Sequence, residues 1–261
     1  MPNLTKHLSF LSVKSSKSNN PLFVFLPGMD GTGQLLLNQL DELKNIFDIR
    51  CLSIPSNDLT NWQGLVEQTA SLIKVERKMF SKRLIYLCGE SFGGCLALKL
   101  AALFPSLYDR LILVNPASSV SRLPWMGWGA SITKWLPNSL YQISTIGLLP
   151  FLIVPQRVSR RSCQVLVKAM RSVTPESVAW RLSLLNHFTL DEVHLQQIKK
   201  PALILASGSD RLLPSEEEAN RLTSYLPNAQ KILLPKSGHA CLLETEVRLR
   251  DILLSQGFYD N

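Results

Sequence analysis

One stretch constrains the fold of this chain more than any other: Leu84-Ile85-Tyr86-Leu87-Cys88-Gly89-Glu90-Ser91-Phe92-Gly93-Gly94-Cys95-Leu96-Ala97-Leu98. An apolar run from Leu84 to Cys88 leads into a serine bracketed by glycines, and Leu96, Ala97, Leu98, Leu100, Ala101 and Ala102 follow with helical spacing. The pattern predicts a buried strand that turns at once into a helix. Gly-x-Ser-x-Gly at such a junction lifts a serine hydroxyl onto a sharp turn where a base can reach it. Ser91 is therefore the candidate nucleophile. Gly89 and Gly93 are expected because a Cβ would crowd the turn, and Gly94 because it lets the helix pack close to the sheet.

The rest of the chain alternates in the same manner. Residues 22–26 form a short continuous apolar run, as in a parallel strand buried on both faces. Further strands are expected at 8–13, 47–54, 110–114, 201–206 and 231–234, with helices over 65–80 and 215–225 and a last helix from about Leu242. Residues 116–190 break the alternation, being apolar, rich in tryptophan and punctuated by Pro124, Pro137, Pro150, Pro155 and Pro175. The expectation is an α/β core of residues 1–115 and 191–261, a mostly parallel doubly wound sheet, carrying a helical cap at 116–190. A length of 261 residues with 46% hydrophobic content suits one such domain with an insertion.

Charge is concentrated in the insertion. The whole chain carries a formal +8, and residues 116–190 hold Arg122, Lys134, Arg157, Arg160, Arg161, Lys168, Arg171 and Arg181 against the single acid Glu176. Trp125, Trp128, Trp135 and Trp180 lie in the same segment. No RNA- or DNA-binding signature accompanies them, so nucleic acid is not the expected partner, and an anionic membrane surface fits the combination better. The first residues are polar and broken by Lys6, His7, Lys14 and Lys17, unlike a secretory leader. The longest apolar run, 146–154, is interrupted by Pro150 and is too short to span a bilayer. A cytoplasmic protein, peripheral to a membrane, is expected. Cys51, Cys88, Cys95 and Cys241 stand beside apolar residues without metal-ligand spacing, as reduced core thiols do.

A serine nucleophile needs a base and a group to orient that base. His239, in Lys236-Ser237-Gly238-His239-Ala240-Cys241, follows the last strand and is the preferred base over His7, His187 and His194. Asp210 follows the strand at 201–206 and is preferred over Asp30, Asp109 and Asp191. Functional groups in parallel sheets gather at the carboxyl ends of strands, where Ser91, Asp210, His239 and Met29 all fall. The turn Pro27-Gly28-Met29-Asp30-Gly31-Thr32-Gly33 lacks the spacing of either common nucleotide-binding loop, although a phosphate remains the alternative reading of its glycines. The preferred reading is that it frees the amide of Met29 to serve, with that of Phe92, as an oxyanion hole, while Asp30 bonds nearby amides and fixes the loop.

The motifs Leu26-Pro27-Gly28, Gly89-Glu90-Ser91-Phe92-Gly93-Gly94, Asp210-x-x-x-Pro214 and Gly238-His239-x-x-x-x-Glu244 together resemble the α/β-hydrolase superfamily, whose chain order Ser, Asp, His they share. Within it, 27–33, Phe47-Asp48-Ile49-Arg50-Cys51, 93–98 and Asn115-Pro116-Ala117 resemble the hydrolase half of the plastid and cyanobacterial esterase/lipase/thioesterase family, which includes phytyl ester synthases. Plant members of that family carry a second, acyltransferase-like half with an H-x-x-x-x-D motif. The 261 residues contain no such spacing, since His187 and Asp191 are one residue too close.

The reading is of a serine ester hydrolase acting through an acyl-enzyme on an apolar ester, with Ser91 as nucleophile, His239 as base and Asp210 as its orienting acid. Neither a metal nor an organic cofactor is required. Trp125, Trp128, Trp135, Leu148 and Phe151 are the candidate acyl-binding residues of the cap. Two alternatives stand beside it: an acyltransferase that passes the acyl group to a long-chain alcohol or a diacylglycerol, and a binding protein that keeps the fold without the chemistry. Oligomeric state is not read from the sequence.

Overall fold

The apolar runs become the strands of one seven-stranded sheet in the computed structural model, which describes residues 7–13, 20–79, 82–123 and 145–259. The strands are β1 (Ser9–Val13), β2 (Leu22–Leu26), β3 (Asp48–Ser53), β4 (Ile85–Glu90), β5 (Arg110–Val114), β6 (Ala202–Ser207) and β7 (Ala229–Leu234). Their spatial order is β1-β3-β2-β4-β5-β6-β7, and every pairing is parallel except that of β1 with β3. Every residue of β2, β4 and β6 is buried, which is why these strands read as unbroken apolar runs.

The helices are α1 (Leu37–Leu43), α2 (Trp62–Met79), α3 (Phe92–Leu103), α4 (Leu149–Leu152), α5 (Arg160–Ser172), α6 (Pro175–Asn186), α7 (Glu192–Gln196), α8 (Ser215–Tyr225) and α9 (Leu249–Ser255). Strand side chains point alternately to the two faces of a sheet. Leu22, Val24 and Leu26 thus lie on the face that α2, α3 and α8 cover, whereas Phe23 and Phe25 lie on the face covered by α1 and α9, with Leu43, Leu249 and Leu253. From β2 the chain moves to β3 on one side, then returns to place β4 on the other. The carboxyl ends of β2 and β4 are thereby neighbours, with Leu26 opposite Gly89, at the point where the strand order reverses. That reversal opens the crevice in which sheets of this type hold their ligands.

Gly94 sits where α3 meets the sheet: a Cβ there would stand 2.8 Å from the Cβ of Pro116, in the turn after β5, and 3.4 Å from the carbonyl oxygen of Gly89 in β4, while one on Gly93 would lie 2.0 Å from the carbonyl oxygen of Leu26. Both glycines bring α3 down on the sheet. One expectation changes, in that the last helix begins later than Leu242. Cys241–Leu243 make a 3-10 turn and α9 starts at Leu249, because Glu244 and Thr245 are bound elsewhere. The carboxylate of Glu244 accepts from Ser237 and Gly238, and the N–H of Thr245 donates to the carbonyl of Arg157.

Within 116–190, Ala117 and Val120 pack on the main core, as do Leu184 and Leu185 of α6. Leu166 and Ala169 of α5 instead form a small cluster with Leu35, Ile153, Ala240 and Leu243. Trp125, Trp128 and Trp135 lie outside the described residues. Leu148 and Phe151 are exposed, at 43% and 48%. Among the described residues, no helix is long and apolar enough to cross a membrane.

Candidate active site

Ser91 ends β4 in a backbone conformation that side chains rarely adopt, with φ 52° and ψ −113°. Backbone hydrogen bonds hold it there: its N–H donates to Val114 at 3.0 Å, and its carbonyl accepts from Gly94 at 2.9 Å, Ala117 at 3.0 Å and Cys95 at 3.4 Å. The space for this turn exists because Gly89 has no Cβ, which would otherwise stand 2.3 Å from the carbonyl oxygen of Gly93. The hydroxyl of Ser91 does not cap α3. It lies 2.9 Å from Nε2 of His239, whose Nδ1 lies 2.7 Å from Oδ2 of Asp210.

A carboxylate only accepts, so Nδ1 carries the ring proton and Nε2 presents its lone pair to the serine hydroxyl. Asp210 is held in turn by the hydroxyl of Ser215 at 2.5 Å and by the N–H groups of Leu212 at 2.9 Å and Leu213 at 3.0 Å. Burial works against the charge on Asp210. The His239 charge and these hydrogen bonds outweigh it and hold the carboxyl below the usual carboxylate range. For His239, burial opposes the imidazolium, but Asp210 and the more remote Glu90 raise it above its usual 6.5.

Among the described residues, none of the other acids and histidines weighed from the sequence is hydrogen-bonded to the hydroxyl of Ser91. Asp30 binds the N–H and hydroxyl of Thr32. Asp109 accepts from the N–H of Ile85 and from Arg77. Asp191 caps α7 through the N–H of His194 and meets that residue's ring, and the exposed His187 ring lies on the carbonyl of Ser183. The thiols of Cys51, Cys88, Cys95 and Cys241 are all pushed up by burial, which makes them inert.

The loop after β2 runs beside the serine, since a Cβ on Gly28 would stand 3.8 Å from that of Ser91. The N–H groups of Met29 and of Phe92, the first residue of α3, donate to no atom of the described residues.

Four residues of this neighbourhood were not singled out for a role from the sequence. Asn115, at φ 43°, donates through Nδ2 to the carbonyl of His239 at 2.7 Å and to Ser207 Oγ at 2.8 Å, and its Oδ1 accepts from the N–H of Ser207. It ties together the ends of β5, β6 and the histidine loop. An asparagine directly after a strand is the available signal, because it tolerates the left-handed region. Glu244 holds Ser237 Oγ at 2.9 Å and the N–H of Gly238 at 2.8 Å, and Arg157 Nε pairs with it at 2.5 Å. Glu90, a carboxyl in an apolar strand, has a buried Oε2 with no hydrogen-bond partner among the described residues. Arg181 is a buried cation on the helix face that also carries Ser177, Leu184 and Leu185.

Comparison with known proteins bears on the fold and the family. A family model described as the alpha/beta hydrolase fold matches residues 21–245. The chain is 34% identical over 264 residues to phytyl ester synthase 1, chloroplastic, of Arabidopsis thaliana, a match that takes in 92% of this chain and 37% of that protein. It thus spans well under half of that relative. It is 29% identical over 167 residues to the pimeloyl-(acyl-carrier protein) methyl ester esterase of Nitrosomonas europaea, covering 60% of this chain and 65% of that one. Among solved structures, MenH from S. aureus superposes with a TM-score of 0.77 at 19% identity, over 96% of this chain and 97% of the other. At that identity the likeness speaks for the fold alone.

Proposed function

The chain belongs to the alpha/beta hydrolase fold family, and from that premise we propose that it is a serine ester hydrolase working through an acyl-enzyme on Ser91. The observation that carries this reading is the hydrogen-bonded row from Ser91 through His239 to Asp210, at 2.9 and 2.7 Å. In the first half-reaction Oγ of Ser91 attacks the ester carbonyl while Nε2 of His239 takes its proton. The tetrahedral oxyanion is received by the N–H groups of Met29 and Phe92. Collapse expels the alcohol, which leaves with the proton from His239. Water then repeats the sequence in reverse and frees the acid. Each oxyanion donor contributes roughly 3 kcal/mol to the transition state, so the backbone around Met29 and Phe92 matters as much as the three side chains.

An apolar, long-chain acyl group is the proposed substrate. Leu148 and Phe151 stand exposed next to Leu152, whose carbonyl accepts from the N–H of Ala240, the residue after His239. Trp125, Trp128 and Trp135 are proposed to extend that apolar lip. The decisive experiment is Ser91→Ala: labelling by a fluorophosphonate probe and turnover of a graded ester and thioester panel should both vanish while the melting curve stays within about 0.5 kcal/mol of wild type. Retained turnover would place the nucleophile elsewhere. His239→Ala should be nearly as severe and Asp210→Asn somewhat milder.

The identity with a phytyl ester synthase favours a second reading, in which a long-chain alcohol replaces water in the second half-reaction. Adding phytol to the assay separates the two, since transfer yields a new ester in place of the free acid.

A further inference from the structure

We infer that Arg181, carried by α6, is a positioning residue for the oxyanion hole, fixing the peptide after Met29 so that the N–H of Met29 keeps its aim at the reacting carbonyl. The inference rests on the hydrolase reading above. Arg181 is 2% exposed and lies on the helix face that bears Leu184 and Leu185. Its Nη1 donates to the carbonyl of Met29 at 2.5 Å and its Nη2 to the carbonyl of Pro55 at 2.9 Å. A guanidinium forked between two main-chain carbonyls of two different loops fixes their separation, because its donors lie in one rigid plane.

The consequence for Met29 follows from peptide planarity. The N–H of Met29 belongs to the Gly28–Met29 peptide, whose carbonyl accepts from the N–H of Gly31 at 3.0 Å. The following peptide, Met29–Asp30, has its carbonyl on Arg181. With the planes on both sides of its Cα held, Met29 has little freedom left to swing its N–H. The loop makes the one peptide fast by its own turn, and the arginine of α6 reaches the other.

The surrounding space is shaped to admit that arginine. Gly31 has φ +69°, and a Cβ there would stand 3.0 Å from the Cβ of Ile54 and 3.1 Å from Nη1 of Arg181. The N–H of Ile54 donates to the carbonyl of Gly31 at 2.8 Å, so the end of β3 closes against the same loop. Oδ2 of Asp30 accepts from Thr32, and the Asp30 charge is close enough to Arg181 for the two to attract, which adds to the hold of the guanidinium on this loop.

An oxyanion donor acts on charge that exists only in the transition state, so a misaimed Met29 N–H should depress kcat and spare KM. The test compares wild type, Arg181→Gln and Arg181→Lys on a soluble short-chain ester, with active sites counted by fluorophosphonate titration and folding followed by thermal melts. Arg181→Gln should lose roughly 10- to 100-fold in kcat per labelled site with KM changed by less than about threefold. Arg181→Lys should recover part of the loss, since an ammonium can still reach a carbonyl. Unchanged kcat per labelled site, even with a lowered melting temperature, would reduce Arg181 to a packing role and overturn the proposal. So would a raised KM with intact kcat. If Arg181→Gln does not fold, the same kcat-against-KM comparison on Arg181→Lys decides, and an unaltered kcat overturns the proposal there too. A wild type that neither labels nor turns over would instead sink the hydrolase reading, and this inference with it.

Discussion

Glu90 immediately precedes the candidate nucleophile, and its buried Oε2 meets no donor among the described residues. Burial is the main reason its carboxyl is pushed up to about 8; the nearby Asp30 adds to this and His239 opposes it. Asp30, on the loop after β2, is itself raised by burial, and on the other side stand Cys88 of β4 and Cys241 of the histidine loop, thiols likewise raised. Glu90 thus keeps its proton well above the usual carboxylate range. Its folded value lies above the usual 4.5, so between about 4.5 and 8 the native state holds the proton that the unfolded chain has released. Across that window this group lowers stability as pH rises, by at most about 1.4 kcal/mol per pH unit. Glu90→Gln removes the linkage. Its advantage over wild type in thermal or urea unfolding should grow from pH 4.5 to 8, and a gap that does not vary with pH would show Glu90 to be charged in the folded protein.

At the scale of elements, the insertion and the histidine loop are fastened to each other. Arg157, just before α5, pairs with Glu244 and Glu246, and the N–H of Thr245 returns to the carbonyl of Arg157. Glu244 is buried and also carries the backbone of Gly238, so removing its cation leaves an uncompensated charge next to His239. Arg157→Gln is expected to cost about 2–4 kcal/mol and to lower kcat, read by urea unfolding and ester turnover. Arg157 therefore does not belong with the charges read from the sequence as membrane-facing. Arg122 is engaged by Glu218, and Arg181 by main-chain carbonyls. Arg160, Arg161 and Lys168 of α5 are exposed, and these are the residues proposed to meet an anionic bilayer. Each would add about 1 kcal/mol near such a surface. In flotation assays, binding to phosphatidylserine vesicles should weaken with salt and fall when all three are changed to glutamine. Binding that ignores lipid charge would remove the idea.

For the molecule as a whole, residues 145–190 are proposed to decide what the crevice accepts. Leu149 and Leu152 pack inward on the small cluster of Leu35, Ile153 and Leu243, whereas Ile146, Leu148 and Phe151 face outward. An acyl chain laid along that outward edge would bury surface that the fold itself leaves in water. Each methylene is worth about 0.8 kcal/mol, so kcat/KM should climb by about fourfold per added carbon until the lip is filled. Equal efficiency on acetyl and dodecanoyl esters, measured below the micelle limit, would show that these residues serve only the packing of the insertion.

The sequence by itself determined the strands, the sharp turn at Ser91 and the order of the three site residues, because each is written in neighbours. An unbroken apolar run needs two covered faces, and glycines at 89 and 93 answer clashes that arise within the turn and against the next strand. His239 and Asp210 were legible for a related reason: a parallel sheet sends the chain through its carboxyl edge after every strand. Only the tertiary structure decided the rest. Asn115 bonds partners 92 and 124 residues away, Arg181 one 152 residues away, and Arg157 one 87 residues away. The start of α9 moved for the same cause, since Glu244 left the expected helix to hold the histidine loop. A buried charge or amide takes whichever partner the packed chain brings within about 3 Å, and local periodicity carries no record of which distant loop that will be.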